Sequence, residues 1–237
     1  MATRTILFMY ILARAALFVM AAALPAFSAD DPHAGHGDGA AREKTGAAPQ
    51  QKAAPANPRE AAYSLPVIEP AADFRLTDLD GKEVTLKDFG GRIKIITFIY
   101  TSCPDACLLA TGTLSRLQGI LRDEGLLGEK VKIASISFDP ERDTPGRLGE
   151  YAEGFGAESG NWLFLRGTPA ETKAVLSGYD VWTKNLPDGR IDHVMRVYLI
   201  DGAGNIREVY NLAYLHPELV VNDINAILRE KVSHAGY

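Results

Sequence analysis

Ile93 to Tyr100 reads IKIITFIY, apolar or β-branched at almost every position. A strand with one wet face alternates apolar and polar residues, so a run like this marks a central strand buried on both faces. Such a strand needs cover above and below, which commits the chain to an α/β domain. Cys103-Pro104-Asp105-Ala106-Cys107 follows directly, and a helical pattern then runs from about Asp105 to Gly125. Leu108, Leu109, Thr113, Leu114, Leu117 and Leu121 are expected on one broad apolar face of that helix.

The flanking sequence supplies the remaining elements. Phe74 to Leu86 reads as a hairpin turning at Asp80-Gly81. Val131 to Phe138 and Trp162 to Leu165 read as strands. Pro145 to Phe155 and Pro169 to Gly178 read as helices, each with proline in its first turn and a threonine N-cap, Thr144 and Thr168. Val194 to Ile200 and Ile206 to Tyr210 form a closing hairpin across Asp201–Asn205, and Pro217 to Val232 is the last helix. Alternating strands and helices demand a mostly parallel sheet with helices on both faces, to which the closing hairpin adds an antiparallel edge. That order is thioredoxin-like, enlarged by an N-terminal β-hairpin and an inserted strand and helix.

Residues 1–29 do not fit this domain. Arg4 precedes an apolar stretch from Ile6 to Leu24, broken by Arg14, and Pro25-Ala26-Phe27-Ser28-Ala29 offers the small residues of a cleavage site. The segment reads as a cleaved export signal, with a retained membrane anchor as the alternative. Arg14 weighs against the anchor, because a charge near the middle of a span is costly. Residues 30–62 are rich in Ala, Pro and Gly and hold no Val, Ile, Leu, Met or aromatic residue, so they read as a disordered linker. Its pair His33 and His36 reads as part of a solvated tether rather than a metal-binding tail, since two imidazoles without a framework have no fixed geometry. The domain is then 63–237.

Composition narrows the chemistry. The 237 residues carry a net charge of −5, which argues against a sequence-independent nucleic-acid binder. Two cysteines are too few for a disulfide scaffold, and four methionines too few for a methionine-rich metal carrier. Any chemistry therefore sits in one small site.

Cys103 and Cys107 are that site's clearest members. Cys103 lies at a helix N-terminus, where the dipole and free N–H groups favour a thiolate. Cys107, four residues on, faces the same side. The pair can form a disulfide or clamp one soft metal ion; a purely structural staple is disfavoured, because so short a loop constrains the unfolded chain little. Redox reductases of the C-x-x-C type have a different spacing, and a zinc site needs further ligands. His193, in Asp192-His193-Val194, precedes a strand whose loop approaches the cysteine end of such a sheet. It reads either as a third ligand or as a buried hydrogen-bonding histidine. Two thiolates and an imidazole suit copper, Cu(I) above all. His216 reads as a capping-region residue, and Met195 as core.

Three stretches in order, FIYTSCPDAC (98–107), SISFDPERDTP (135–145) and DHVMRVYLID (192–201), resemble the Sco/SenC family, over essentially all of residues 70–232. The resemblance implies a thioredoxin-fold copper chaperone, periplasmic and either soluble or tethered to the inner membrane. It implies one copper ion, Cu(I) or Cu(II), held by Cys103, Cys107 and His193. It further implies assembly of the binuclear copper site of cytochrome c oxidase, with the copper-bearing oxidase subunit or another copper acceptor as partner and a thiol reductase as a second one. The chain would then be no enzyme. The alternative is a thiol–disulfide oxidoreductase, or a redox sensor, that uses the couple Cys103 and Cys107. Two positions depart from the common pattern: Leu108 stands where many members have proline, and Ser102 where histidine is frequent. The loop Asp139–Pro145 reads as an Asp139–Arg142 pair with Thr144 capping the next helix, and alternatively as a support for the metal site or a partner-docking loop. Asp192 is a candidate to fix the imidazole tautomer of its neighbour.

Overall fold

The computed structural model of the chain describes residues 63–234. The expected export segment (1–29) and linker (30–62), with His33 and His36, lie outside the described residues. Ten strands and four α-helices follow in chain order among the described residues: β1 (Glu69–Pro70), β2 (Arg75–Thr77), β3 (Glu83–Thr85), β4 (Ile93–Ile99), α1 (Ala106–Asp123), β5 (Val131–Ser137), α2 (Pro145–Gly154), β6 (Trp162–Leu165), α3 (Pro169–Gly178), β7 (Thr183–Asn185), β8 (Ile191–His193), β9 (Val197–Ile200), β10 (Asn205–Tyr210) and α4 (Pro217–His234).

The main sheet has six strands in the order β1-β10-β9-β4-β5-β6. β4 pairs parallel with β5 over its whole length, Ile93 opposite Val131 through Ile99 opposite Ser137. β5 pairs parallel with β6, while β9 runs antiparallel to β4 and β10 antiparallel to β9. The sheet is therefore mixed, with β4, β5, β6 and β10 sharing one direction, as a thioredoxin-like domain requires. All seven residues of β4 are buried. Successive side chains point to opposite faces, so both faces of the sheet are covered. Lys94 accepts burial because its ammonium donates to the Asp201 carbonyl at 3.0 Å.

Local chemistry sets the boundaries. Thr144 and Thr168 cap α2 and α3, accepting hydrogen bonds from the N–H groups of Arg147 and Glu171, with proline in each first turn. β2 and β3 form the expected hairpin, with Gly81 at φ +80 in its turn. That hairpin joins the end of β6 through two backbone bonds between Thr77 and Arg166.

Two features differ from the sequence reading. Thr183–Asn185 and Ile191–His193 form a separate two-stranded sheet, so His193 ends a strand of its own, and β9 begins at Val197 rather than at Val194. The turn signature Pro187-Asp188-Gly189 marks this hairpin, and Gly189 sits at φ +82. The buried face of α1 includes Thr113, Leu114, Leu117 and Leu121 as expected, but it is rotated away from the expected Leu108 and Leu109. Cys107, Ala110, Thr111, Thr113, Leu114, Leu117, Gln118 and Leu121 are buried, whereas Leu108 and Leu109 are 39% and 59% exposed. The buried set follows the helical period, and its polar members are satisfied: the Gln118 amide donates to the Gly156 carbonyl (2.9 Å) and accepts from the Glu158 N–H (2.7 Å).

This rotation yields a test by urea unfolding. Leu114→Ala is expected to destabilise the domain by about 2–5 kcal/mol through the cavity it leaves. Leu109→Ala is expected to stay within about 0.5 kcal/mol of the wild type.

Candidate metal centre

The site forms where β4 ends. Beyond Ile99 the chain turns at Tyr100–Cys103, closed by a hydrogen bond from the Cys103 N–H to the Tyr100 carbonyl (3.2 Å). Asp105 then caps α1, its carboxylate accepting from the Ala106 N–H. Cys107 falls in the first turn of α1 on its buried face, and its N–H points at Cys103 Sγ (3.4 Å). Both cysteines are buried free thiols.

His193 reaches the pair from β8. Its Nε2 lies 3.4 Å from Cys107 Sγ. The ring stands edge-on to Tyr100, with centroids 5.8 Å apart, and tilts against Phe138 at 5.0 Å. Tyr100 Oη accepts a hydrogen bond from the Ile191 N–H (3.3 Å), which holds β8 against the end of β4. The donor atoms of Cys103, Cys107 and His193 all lie within 4.8 Å of one another. The structure thus brings together the three residues singled out in the sequence. It does not recruit the neighbours: among the described residues no hydrogen bond joins Asp192 to His193, and Met195 packs against the core.

Reading the sequence missed Asp143. This carboxylate is 0% exposed. It accepts from the Thr101 N–H (3.2 Å), the Thr101 hydroxyl (2.5 Å) and the Ser137 hydroxyl (2.6 Å). It therefore ties the cysteine loop to the end of β5. The expected Asp139–Arg142 ion pair is also present.

The two thiols are electrostatically unlike. The Cys107 thiol donates to Cys103, and backbone N–H groups of Cys107 and Asp105 add to it, with the charge of His193 behind them; together they pull the Cys103 thiol down to about 5 against the burial that opposes ionisation. Donation to Cys103 and then burial push Cys107 strongly up. Cys103 is therefore the more acidic thiol of the coupled pair, and Cys107 the one that keeps its proton longer.

An α/β domain of thioredoxin-like build, with two free thiols and an imidazole converging where the central strand meets a helix, has a donor set that could hold a soft metal ion or cycle as a dithiol. The chain belongs to the SCO1/SenC family, whose sequence model matches residues 67–229. It is 31% identical over 147 residues to the SCO1 protein homolog of Bacillus subtilis, covering 61% of this chain and 73% of that one. It is 32% identical over 147 residues to the mitochondrial protein SCO2 of Saccharomyces cerevisiae, covering 60% of this chain but 47% of the yeast protein, so it spans only about half of that relative. Among solved structures, copper-bound ScoI of Bradyrhizobium japonicum superimposes with a TM-score of 0.55 at 35% identity, covering 67% of this chain and 99% of that one.

Two measurements test these assignments. Thiolate absorbance of the reduced, metal-free protein is expected to titrate with one step near about pH 5 and no second step below pH 9. In Cys107→Ala that step moves up toward the ordinary thiol range of about 8.5, since the donor is gone. Asp143→Ala leaves three donors without an acceptor and is expected to cost about 1–3 kcal/mol in urea unfolding.

Proposed function

We propose that this chain is an exported copper chaperone that holds one copper ion through Cys103 Sγ, Cys107 Sγ and His193 Nε2. The single observation that carries this reading is the convergence of those three donors within 4.8 Å. Thiolates suit Cu(I) and imidazole suits either copper oxidation state, so the set fits this ion better than hard cations. Cys103 is the more acidic thiol, so the proton that loading has to displace is chiefly that of Cys107. Both sulfurs are buried and His193 is half-buried, which leaves the imidazole side as the approach.

In this role no covalent bond of a substrate changes. Three protein donors leave the coordination open, so a ligand from an acceptor can enter before one from this chain leaves. The acceptor is the copper-bearing subunit of cytochrome c oxidase, or another exported apoprotein with soft ligands. The copper-bound Bradyrhizobium relative supports the choice of metal. Export is supported by the signal-like composition of residues 1–29. Delivery then takes place in the periplasm, with the domain free or tethered through 30–62.

A second reading rests on the lowered Cys103 thiol. As a thiol–disulfide oxidoreductase, Cys103 would attack an acceptor disulfide and Cys107 would resolve the mixed disulfide, reducing the acceptor as the Cys103–Cys107 bond forms. Burial of both sulfurs favours a small ion over a protein disulfide as their usual partner.

Copper competition titrations of the reduced wild type and His193→Ala separate the two. Copper affinity is expected to fall by more than the roughly 10–100-fold that loss of a supporting contact costs, while cycling of the dithiol stays intact. Wild-type copper affinity in His193→Ala contradicts the three-donor site.

A further inference from the structure

The hairpin β7–β8 is separate from the main sheet, and all three residues of β7 are exposed. A two-stranded hairpin is marginal by itself in water. Its terminal residue His193 nevertheless has to stand at a fixed distance from two sulfurs. The hairpin therefore depends on anchors to the platform formed by the ends of β4 and β5. One is Ile191, buried and bonded through its N–H to Tyr100 Oη. The other anchor at its turn is Arg142.

Arg142 leaves the loop after β5. Its Nε pairs with Asp139, and its carbonyl accepts from Arg147 Nη1 (3.3 Å), so the side chain has a fixed base. Its Nη1 donates to the Gly189 carbonyl at 2.6 Å, at the tip of the hairpin. The guanidinium carbon lies 5.9 Å from the centroid of the Tyr100 ring, the ring against which His193 stands. One planar fork thus joins the loop, the aromatic wall of the site and the turn between β7 and β8. Lysine offers a point charge without the fork and cannot make this set of contacts.

We infer that Arg142 is a positioning residue: it clamps the β7–β8 hairpin to the cysteine platform and so fixes where His193 presents its nitrogen. The consequence for the metal rests on the copper reading above, whereas the clamp itself does not. Arg142 contacts Asp139, Gly189, Arg147 and Tyr100 rather than the three donor residues, so it acts through the hairpin. The side chain is partly exposed, so its ion pair with Asp139 adds little stability; its effect is geometric.

The test uses the full chain as wild type, Arg142→Ala and Arg142→Lys. Amide hydrogen exchange is measured on the reduced, metal-free protein, and Cu(II) affinity and EPR spectra on the loaded one. In Arg142→Ala the Ile191 amide is expected to exchange about tenfold faster, while amides of β4 and β5 keep wild-type protection. Copper affinity is expected to fall roughly 10–100-fold, with weakened nitrogen hyperfine structure. Arg142→Lys is expected to recover part of both losses and keeps the test alive should the alanine variant fold poorly. Wild-type Ile191 exchange in both variants overturns the clamp. Faster Ile191 exchange with unchanged copper affinity and spectrum overturns its role in setting the third donor. If the wild type itself binds no copper, the chaperone reading fails, and Ile191 exchange still decides the clamp.

Discussion

The parallel pairing of Ile93–Ile99 with Val131–Ser137 places the ends of two buried strands side by side. Both cysteines and the loop that supports them leave from that edge, and His193 is brought to it from the separate β7–β8 hairpin. β4 continues into the turn that carries Cys103, and β5 continues into the loop that carries Asp139, Arg142 and Asp143. Open α/β sheets place their sites beyond the carboxyl ends of parallel strands, because neighbouring loops there diverge and leave room. Here the two loops are tied instead of free. The buried Asp143 carboxylate joins the half-buried Thr101 to the buried Ser137, which holds the approach to Cys103 in place.

That fixed placement matters because the cysteine site contains opposed demands. Burial disfavours a thiolate, yet the Cys103 thiol is pulled down. The conflict is resolved by donors fixed in advance: the Cys107 thiol, two backbone N–H groups at the start of α1, and the nearby imidazole. Each depends on position. A loop that moved by an ångström would lose hydrogen bonds at 3.4 Å while keeping the desolvation cost. The proposed copper role asks for the same order, since an imidazole carried on a small hairpin has to meet two sulfurs carried on a helix end.

How much of this was legible depended on whether the signal was local. The β-branched run of β4, the threonine caps of α2 and α3 and the Asp80-Gly81 turn are short-range patterns, and each element formed where expected. Cys103 and Cys107 are four residues apart, so their proximity was a local matter, although Cys103 stands in the turn before α1 and only Cys107 is helical. His193 was different. It lies 86 residues from Cys107; its expected place before a strand left two readings, third ligand or buried histidine, and the family resemblance favoured the ligand. Asp143 gave no signal, because its bond to Thr101 spans 42 residues and a loop aspartate normally reads as solvated. The rotation of α1 was hidden for another reason. Leu108 and Leu109 are apolar enough to mimic a core face, whereas the true face includes Thr111 and Gln118, whose partners come from the α2 region. The β7–β8 hairpin did carry a local mark, Pro187-Asp188-Gly189, but its strands are only three residues each and Ile191 is their one apolar residue, too little for a period to show.

The central claim is that two sulfurs and one imidazole nitrogen hold copper together. X-ray absorption at the copper edge of the loaded, reduced protein reads that donor set directly. The account predicts a shell containing two sulfur scatterers and an imidazole pattern that disappears in His193→Ala. A shell of nitrogen and oxygen only, or a sulfur shell unchanged by that substitution and without imidazole scattering in the wild type, would contradict it.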